Sequence, residues 1–410
     1  MKRLGAAMLA IVALASSCSS DQGAIVVGAV YPTAGGQGMG GIEEFRGVRL
    51  AADLVNADGG VRGRPIRLVL EPADSFDGAP GAVQRAVDAG ASVVVGSYGS
   101  TISAPAAEAA SRLDVVFWET GAVGEVGKGA APGTRFFRAV GGGGSLGQAA
   151  VAFIRDQRFP GARGREARYS VVYVDDPYGR AVALGAEEEI NDSGLPLAGT
   201  FPYELESVDY VRLAKRIRRA GTDVLVVVAY LVDGVNLRRA LVAEKVPLLG
   251  TIGTSSSYCH PEFGRILGED ALGLFASDKP DAGSLDPAKL SPEAESALRR
   301  ARDEYRRRHN EEMSAAALSG FGSAWGLFRH VLPRARSLSA DGVAAAAQSV
   351  RLPVGTLPSG SGLRFAPSGD PRAGENMNAI SVIWEWVSVN TRAIVWPPSF
   401  ATSPIVPIAI

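Results

Sequence analysis

AIVVGAVYPTAGGQGMGG, residues 24–41, sets an apolar run against a glycine-rich stretch, and the junction between them decides the fold. Residues 24–30 are apolar at successive positions, as a strand buried on both faces of a parallel sheet requires. Gly36, Gly38 and Gly41 fit G-x-G-x-x-G, the fingerprint of a dinucleotide loop. In that fold the first glycine follows the strand almost at once, so that pyrophosphate meets the N-terminus of the next helix. Here YPTAG intervenes and moves the glycines off that turn, even though Glu71 ends the next apolar run where a ribose-binding acid would stand. The glycines are read instead as backbone that lets a small ligand come close in a cleft. No cofactor is expected.

Outward from this stretch the pattern repeats. IEEFRGVRLAADLVNA carries Ile42, Phe45, Val48, Ala52 and Val55 on one helical face and ends at Asp58-Gly59-Gly60. PIRLVLE, SVVVG and DVVFWE read as further buried strands, separated by the helix APGAVQRAVDAG and another over about 101–113. After GGGG (141–144) the pattern starts afresh with YSVVYVD, DVLVVVAY and VPLLGTIG, interleaved with a helix from Tyr178 and the helix GVNLRRALVAE. ALGLFAS leads into a helical block, 291–349, and AISVIWEWVSV follows a Pro/Gly-rich stretch. Apolar strands alternating with helices mean parallel sheets covered on both faces.

The expected fold is therefore α/β, with two Rossmann-like lobes, each a parallel sheet flanked by helices. Three hinge crossings join them, near 140, 278 and 352. Lobe 1 is expected over 24–140 plus 279–351, lobe 2 over 141–278 plus 352–396, and 397–410 forms a C-terminal tail. A chain of 410 residues with 46% apolar content has core enough for two lobes.

Lys2 and Arg3, the short apolar stretch GAAMLAIVALA and then SSC ending at Cys18 have the layout of an export signal over 1–17. A cysteine after small residues resembles a bacterial lipobox, in which the thiol is diacylated, although Ala15 stands where leucine is usual. SSDQG would complete a polar tether, 18–23. Two acyl chains at ~0.8 kcal/mol per buried methylene hold a protein firmly on a membrane. The expected location is the outer face of the cytoplasmic membrane. The only other cysteine is Cys259, so an acylated Cys18 leaves no disulfide within the chain. No second segment is long and apolar enough to cross a membrane. A formal net charge of −1 argues against a nucleic-acid partner.

Enzyme signatures are weak. Residues 143–147, GGSLG, fit the G-x-S-x-G nucleophile elbow, but three preceding glycines make a loose approach, and Ser145 is read as the N-cap of LGQAAVAFIRDQ. His309 lies in a charged helix, His330 in an apolar one, and the Cys259-His260 pair has no further ligands at metal-binding spacing. There is no P-loop and no H-E-x-x-H. Neither catalysis nor a metal is expected.

A binding site has more to draw on. GSYGST (96–101) lies where a strand ends and a helix begins, so free backbone N–H groups with the Ser100 and Thr101 hydroxyls suit a carboxylate. WETGAV (118–123) ends the next strand at the same edge. DDPYG (175–179) and VVAYLVDG (227–234) end two strands of the second lobe and present Tyr178 and Tyr230. Tyrosines there, facing the other lobe's anion site, are placed as a ligand clamp.

These segments resemble the type I periplasmic binding proteins, in the branched-chain amino-acid (Leu/Ile/Val) branch of ABC-transporter receptors. The resemblance spans roughly 24–390 and rests on G-x-x-x-P-T-x-G at the first loop, AADLVNADGGVRGRPIRLVLEPADS, VVVGSYGSTISAPAAE, VDDPYG and DVLVVVAY. It implies a two-lobed trap that closes on a small-molecule solute and hands it to ABC permease subunits. By that resemblance Ser100, with Thr101 and nearby backbone, holds the ligand carboxylate, and Gly121, Ala122 and Val123 supply backbone contacts. Tyr98 lines the first lobe; Tyr178 and Tyr230 come from the second. Amino-acid-binding members also place an acid against the ligand ammonium, after the strand matching VPLLGT. Ile252 is aligned with that acid, Ala122-Val123 replaces a common threonine, and Glu119 or Asp233 is the available substitute. An aliphatic or aromatic acid, an amide or a urea-like solute is as open as an amino acid. A ligand sensor acting through a partner protein is the alternative on the same fold.

Overall fold

The computed structural model describes residues 23–157 and 166–406. The export signal, Cys18 and its tether up to residue 22 lie outside the described residues, as do 407–410 of the tail. The first sheet has five strands, all parallel, in the order β2-β1-β3-β4-β5. These are β1 (Ile25–Tyr31), β2 (Ile66–Pro72), β3 (Val93–Gly96), β4 (Val116–Glu119) and β5 (Phe136–Arg138). Helices α1 (Gly38–Ala57), α2 (Ala79–Asp88) and α3 (Ser100–Arg112) link successive strands. Alternating α and β elements with short turns feed each strand back parallel to the last, and the apolar runs of the sequence become its centre.

The second sheet has seven strands in the order β12-β11-β10-β9-β8-β6-β7. Its parallel part is β6 (Tyr169–Val174), β7 (Leu197–Tyr203), β8 (Val224–Val228), β9 (Gly250–Thr254) and β10 (Phe275–Asp278). Helices α4 (Gly143–Gln157), α5 (Pro177–Asp192), α6 (Tyr210–Ala220), α7 (Leu231–Ala243) and α8 (Pro261–Leu267) belong to it. The last two strands, β11 (Val382–Ser388) and β12 (Thr391–Trp396), run antiparallel. The turn between them is too short for a parallel crossover, so this sheet is mixed rather than wholly parallel. Strand β7, helix α6 and strand β12 were not legible in the sequence. Strands β7 and β12 sit at sheet edges with exposed positions, so neither reads as a continuous apolar run.

Helices α9 (Pro292–His309), α10 (Ala315–Trp325) and α11 (Ala340–Ser349) return to the first lobe. Helix α10 crosses α1 at backbone contact. A Cβ at Gly47 would lie 1.9 Å from the Ala317 carbonyl oxygen, and one at Gly320 would lie 2.1 Å from that of Glu44. The buried residues of α1 include Gly41, Glu44 and Gly47 beside Val48, Leu50, Ala51, Ala52 and Val55. Of the expected face Val48, Ala52 and Val55 are buried and Phe45 packs partly buried on the core, whereas Ile42 is 38% exposed. The apolar pattern found most of the stripe and missed Gly41, Glu44 and Gly47, which carry no apolar side chain to announce their burial.

The chain passes from the first sheet toward the second between β5 and α4, and it leaves the second just after β10. The third crossing does not lie near 352. Residues 352–378, assigned to lobe 2 in the sequence, pair with lobe 1: Glu375 bridges to Arg138 on β5, and the Asn376 amide donates to the Ala139 carbonyl at 2.8 Å. The reason is Phe365, buried edge-on against Trp118 and Phe137 at centroid distances of 5.2 and 5.0 Å. One aromatic anchor makes this Pro/Gly-rich stretch part of the first core. The crossing lies just before β11.

Candidate ligand-binding site

The carboxyl ends of β3 and β4 face those of β6, β8 and β9 across one seam. Ser100 opens α3, whose N-cap is Gly99. The Ser100 hydroxyl, 5% exposed, accepts from the Gly124 N–H at 3.0 Å. Thr101 beside it accepts from the Gln37 side-chain amide at 3.1 Å. Tyr98 lies under α1 so closely that a Cβ at Gly40 would meet its ring at 2.2 Å. Ser256 of the opposite lobe stands by its hydroxyl and favours ionisation, against the larger effect of burial.

From the second lobe, Tyr178 is 2% exposed, with its hydroxyl 2.9 Å from that of Thr254. The rings of Tyr178 and Tyr230 stand 5.3 Å apart. Tyr230 is the N-cap of α7 and donates its hydroxyl to Asp176, which in turn caps α5. Burial pushes all three hydroxyls above the ordinary tyrosine range. The seam is shut: Gly124 is wedged between Ser100 and the Pro177 carbonyl, and a Cβ there would lie 3.0 Å from that oxygen.

The WETGAV turn is wrapped around its own acid. Glu119 Oε1 accepts from the N–H groups of Thr120, Gly121 and Ala122 at 2.9, 2.9 and 2.8 Å, and Ser103 donates to Oε2. Burial pushes Glu119 up to about 7, against the opposing pull of Arg138. The Val123 carbonyl accepts from the Gly143 N–H at 2.8 Å, and the Gly121 carbonyl from Lys279 at 2.9 Å. Gly121, Ala122 and Val123 therefore lie at the seam with these backbone groups bonded within the protein.

Neither acid named as an ammonium partner is available. Glu119 is spent on its own turn, and Asp233 accepts from the Tyr203 hydroxyl and, at 3.2 Å, from the Tyr230 N–H. Ile252 is not at the seam either. It stands in mid-strand, fully buried and paired with Val226 and Phe275, and the end of β9 that faces the first lobe is Thr254.

Sequence reasoning missed Glu44, Asp278 and Lys279. Glu44 is fully buried on α1; the Thr120 hydroxyl donates to its Oε1 at 2.6 Å, and Oε2 has no hydrogen-bond partner among the described residues. Burial raises it to about 8, with Lys279 pulling the other way. Asp278 is likewise raised by burial, and Cys259 donates to its Oδ2. The available signal was a charged pair, Asp278-Lys279, exactly where the chain leaves the second sheet. Ser145 needs correction too: it lies inside the first turn of α4, donating to the Gly142 carbonyl at 3.1 Å, and is not the N-cap. His260 caps α8 through its ring. A groove of about 550 Å³ does open elsewhere, between Arg49 on α1, Leu70 on the sheet edge and Arg307 on α9, and holds none of the expected site residues.

Residues 24–382 match the family model described as periplasmic binding protein. The chain is 25% identical over 368 residues to Leu/Ile/Val-binding protein homolog 8 of Brucella abortus, covering 87% of each. Among solved structures it is similar to a leucine-binding protein of Thermotoga maritima, with TM-score 0.73 and 16% identity over 90% of this chain and 97% of that one. It is similar also to an extracellular ligand-binding receptor of Rhodopseudomonas palustris, with TM-score 0.75 and 16% identity over 91% and 99%.

Proposed function

The chain belongs to the periplasmic binding protein family, and from that premise we propose that it is the extracytoplasmic receptor of an ABC transporter for a small carboxylate- or amide-bearing solute. The observation that carries the reading is the meeting of Tyr98 and Ser100 from one lobe with Tyr178 and Tyr230 from the other, at the carboxyl ends of two parallel sheets. Ligands of open α/β sheets bind outside those strand ends. A helix N-terminus with a serine beside it suits a carboxylate, and a pair of tyrosine rings suits an apolar body.

In this reading the solute docks first on lobe 1, where α3 and Ser100 are preformed. Closure about the three crossings then brings Tyr178 and Tyr230 over it. The loaded receptor delivers to permease subunits in the membrane, to which an acylated Cys18 tethers it. Members of this family are solute-binding proteins, not enzymes. No helix among the described residues is long and apolar enough to cross a membrane. A thermal-shift screen of amino acids, keto acids, aromatic acids and amides, followed by calorimetry, tests the reading. One class should raise the melting temperature and bind with one-to-one stoichiometry. A flat response across all four classes defeats it.

A further inference from the structure

Lys279 stands one residue past β10, at the second crossing, and reaches back into the first lobe. Its Nζ donates to the Gly121 carbonyl at 2.9 Å. Glu44 crowds the same glycine, since a Cβ at Gly121 would lie 1.7 Å from Glu44 Oε2. That oxygen and Oδ1 of Asp278 are buried and have no hydrogen-bond partner among the described residues. Both carboxyl groups feel the Lys279 charge, and both act on Tyr98. An ammonium of the protein's own thus stands beside this acidic corner of the seam.

An α-amino acid would need this corner for its own ammonium. It would meet a like charge at short range, in surroundings too dry to screen it. The other groups that would compensate are spent or absent. Glu119 and Asp233 are bonded within their own turns, Ala122 and Val123 carry no hydroxyl, and Thr254-Ser255-Ser256 offers hydroxyls but no carboxylate.

We propose that Lys279 stands in for a ligand ammonium, so that the site takes small carboxylates bearing no α-amino group: keto, hydroxy or arylalkyl acids. This rests on the seam being the solute site. One of the three N–H donors of Lys279 is on Gly121, and the others can meet a keto or hydroxyl oxygen at the ligand's second carbon. The carboxylate itself lies toward Ser100 and the start of α3.

Calorimetry on the mature chain with two matched pairs tests this: 4-methyl-2-oxopentanoate against leucine, and 3-phenylpropanoate against phenylalanine. In at least one pair the acid without the amino group should bind at least about tenfold tighter, and neither amino acid should be preferred. Lys279→Met should shrink that preference about tenfold or more; if it does not fold, Lys279→Gln, which keeps a donor without the charge, replaces it. A wild-type preference for leucine or phenylalanine overturns the proposal and leaves the receptor reading standing. A preference unchanged in a folded Lys279 variant removes Lys279 from the explanation and overturns it as well. Silence toward all four probes and throughout the wider screen defeats the receptor reading and takes this proposal with it.

Discussion

Tyr230 donates its hydroxyl to Asp176 at 2.5 Å, so one carboxylate joins the start of α7 to the start of α5. Oδ1 of the same aspartate accepts from the Gly179 N–H at 2.8 Å and caps α5. In the proposed site Tyr230 would therefore present its ring, its hydroxyl being held by Asp176. Tyr230→Phe should cost about 1 kcal/mol of stability and change ligand affinity by less than about tenfold. Tyr230→Ala removes the ring and should weaken binding by more than about tenfold. Calorimetry with the solute found in the screen, beside thermal unfolding of both variants, checks the contrast. Equal losses of affinity would mean that the hydroxyl, not the ring, faces the ligand.

Ser100→Ala has two expected effects. The buried Gly124 N–H loses its acceptor, at a cost of about 1–3 kcal/mol in stability. A hydrogen bond to the ligand carboxylate is also lost, about 1.5–3 kcal/mol or one to two decades in affinity. Denaturant unfolding and calorimetry read the two separately. A destabilised variant with unchanged affinity would make Ser100 a purely structural residue.

Glu44 sets a pH dependence. Its carboxyl ionises near 4.5 when exposed and near 8 in the fold, because burial penalises the charge. Between those values the folded chain holds a proton that the unfolded chain has released. The stability it contributes is full below about 4.5 and is lost as pH rises through about 8. Glu44→Gln keeps an acceptor for Thr120 and does not titrate. The variant should gain on the wild type between about pH 5 and about pH 9, as urea unfolding at both ends would show. A constant gap would mean that Glu44 is ionised throughout, paired with Lys279.

Cys18→Ser should release a folded, binding-competent protein from membranes. Fractionation with N-terminal sequencing checks it. A soluble wild type that starts at a residue other than Cys18 would remove the anchor from the reading.

How legible this was depended on which signal carried each element. Apolar runs such as VVVG and VLVVV announced both sheets, because a strand covered on both faces has no polar alternation to blur it. The places of Tyr178, Tyr230 and Ser100 just past strand ends were legible, because an apolar run stops visibly where it meets Gly, Pro or Asp. Lys279 and Glu44 were not, since their partners are distant in sequence and only the fold brings them to Gly121. Segment 352–378 was misassigned because its Pro/Gly composition says loop, while its lobe is decided by the burial of Phe365.

The late return of α10 to α1 also governs when the molecule can fold. The Ser314 hydroxyl donates to Glu43 from 271 positions further along the chain, and Gly320 closes on Glu44 from a similar distance. A chain emerging amino-terminus first cannot seal the first core until most of its length has followed. Pairing this remote is slow, because so much chain must be ordered before the contact repays it. For a polypeptide threaded across a membrane unfolded, that delay is useful. The half that leads the way stays open until the half that completes it has arrived.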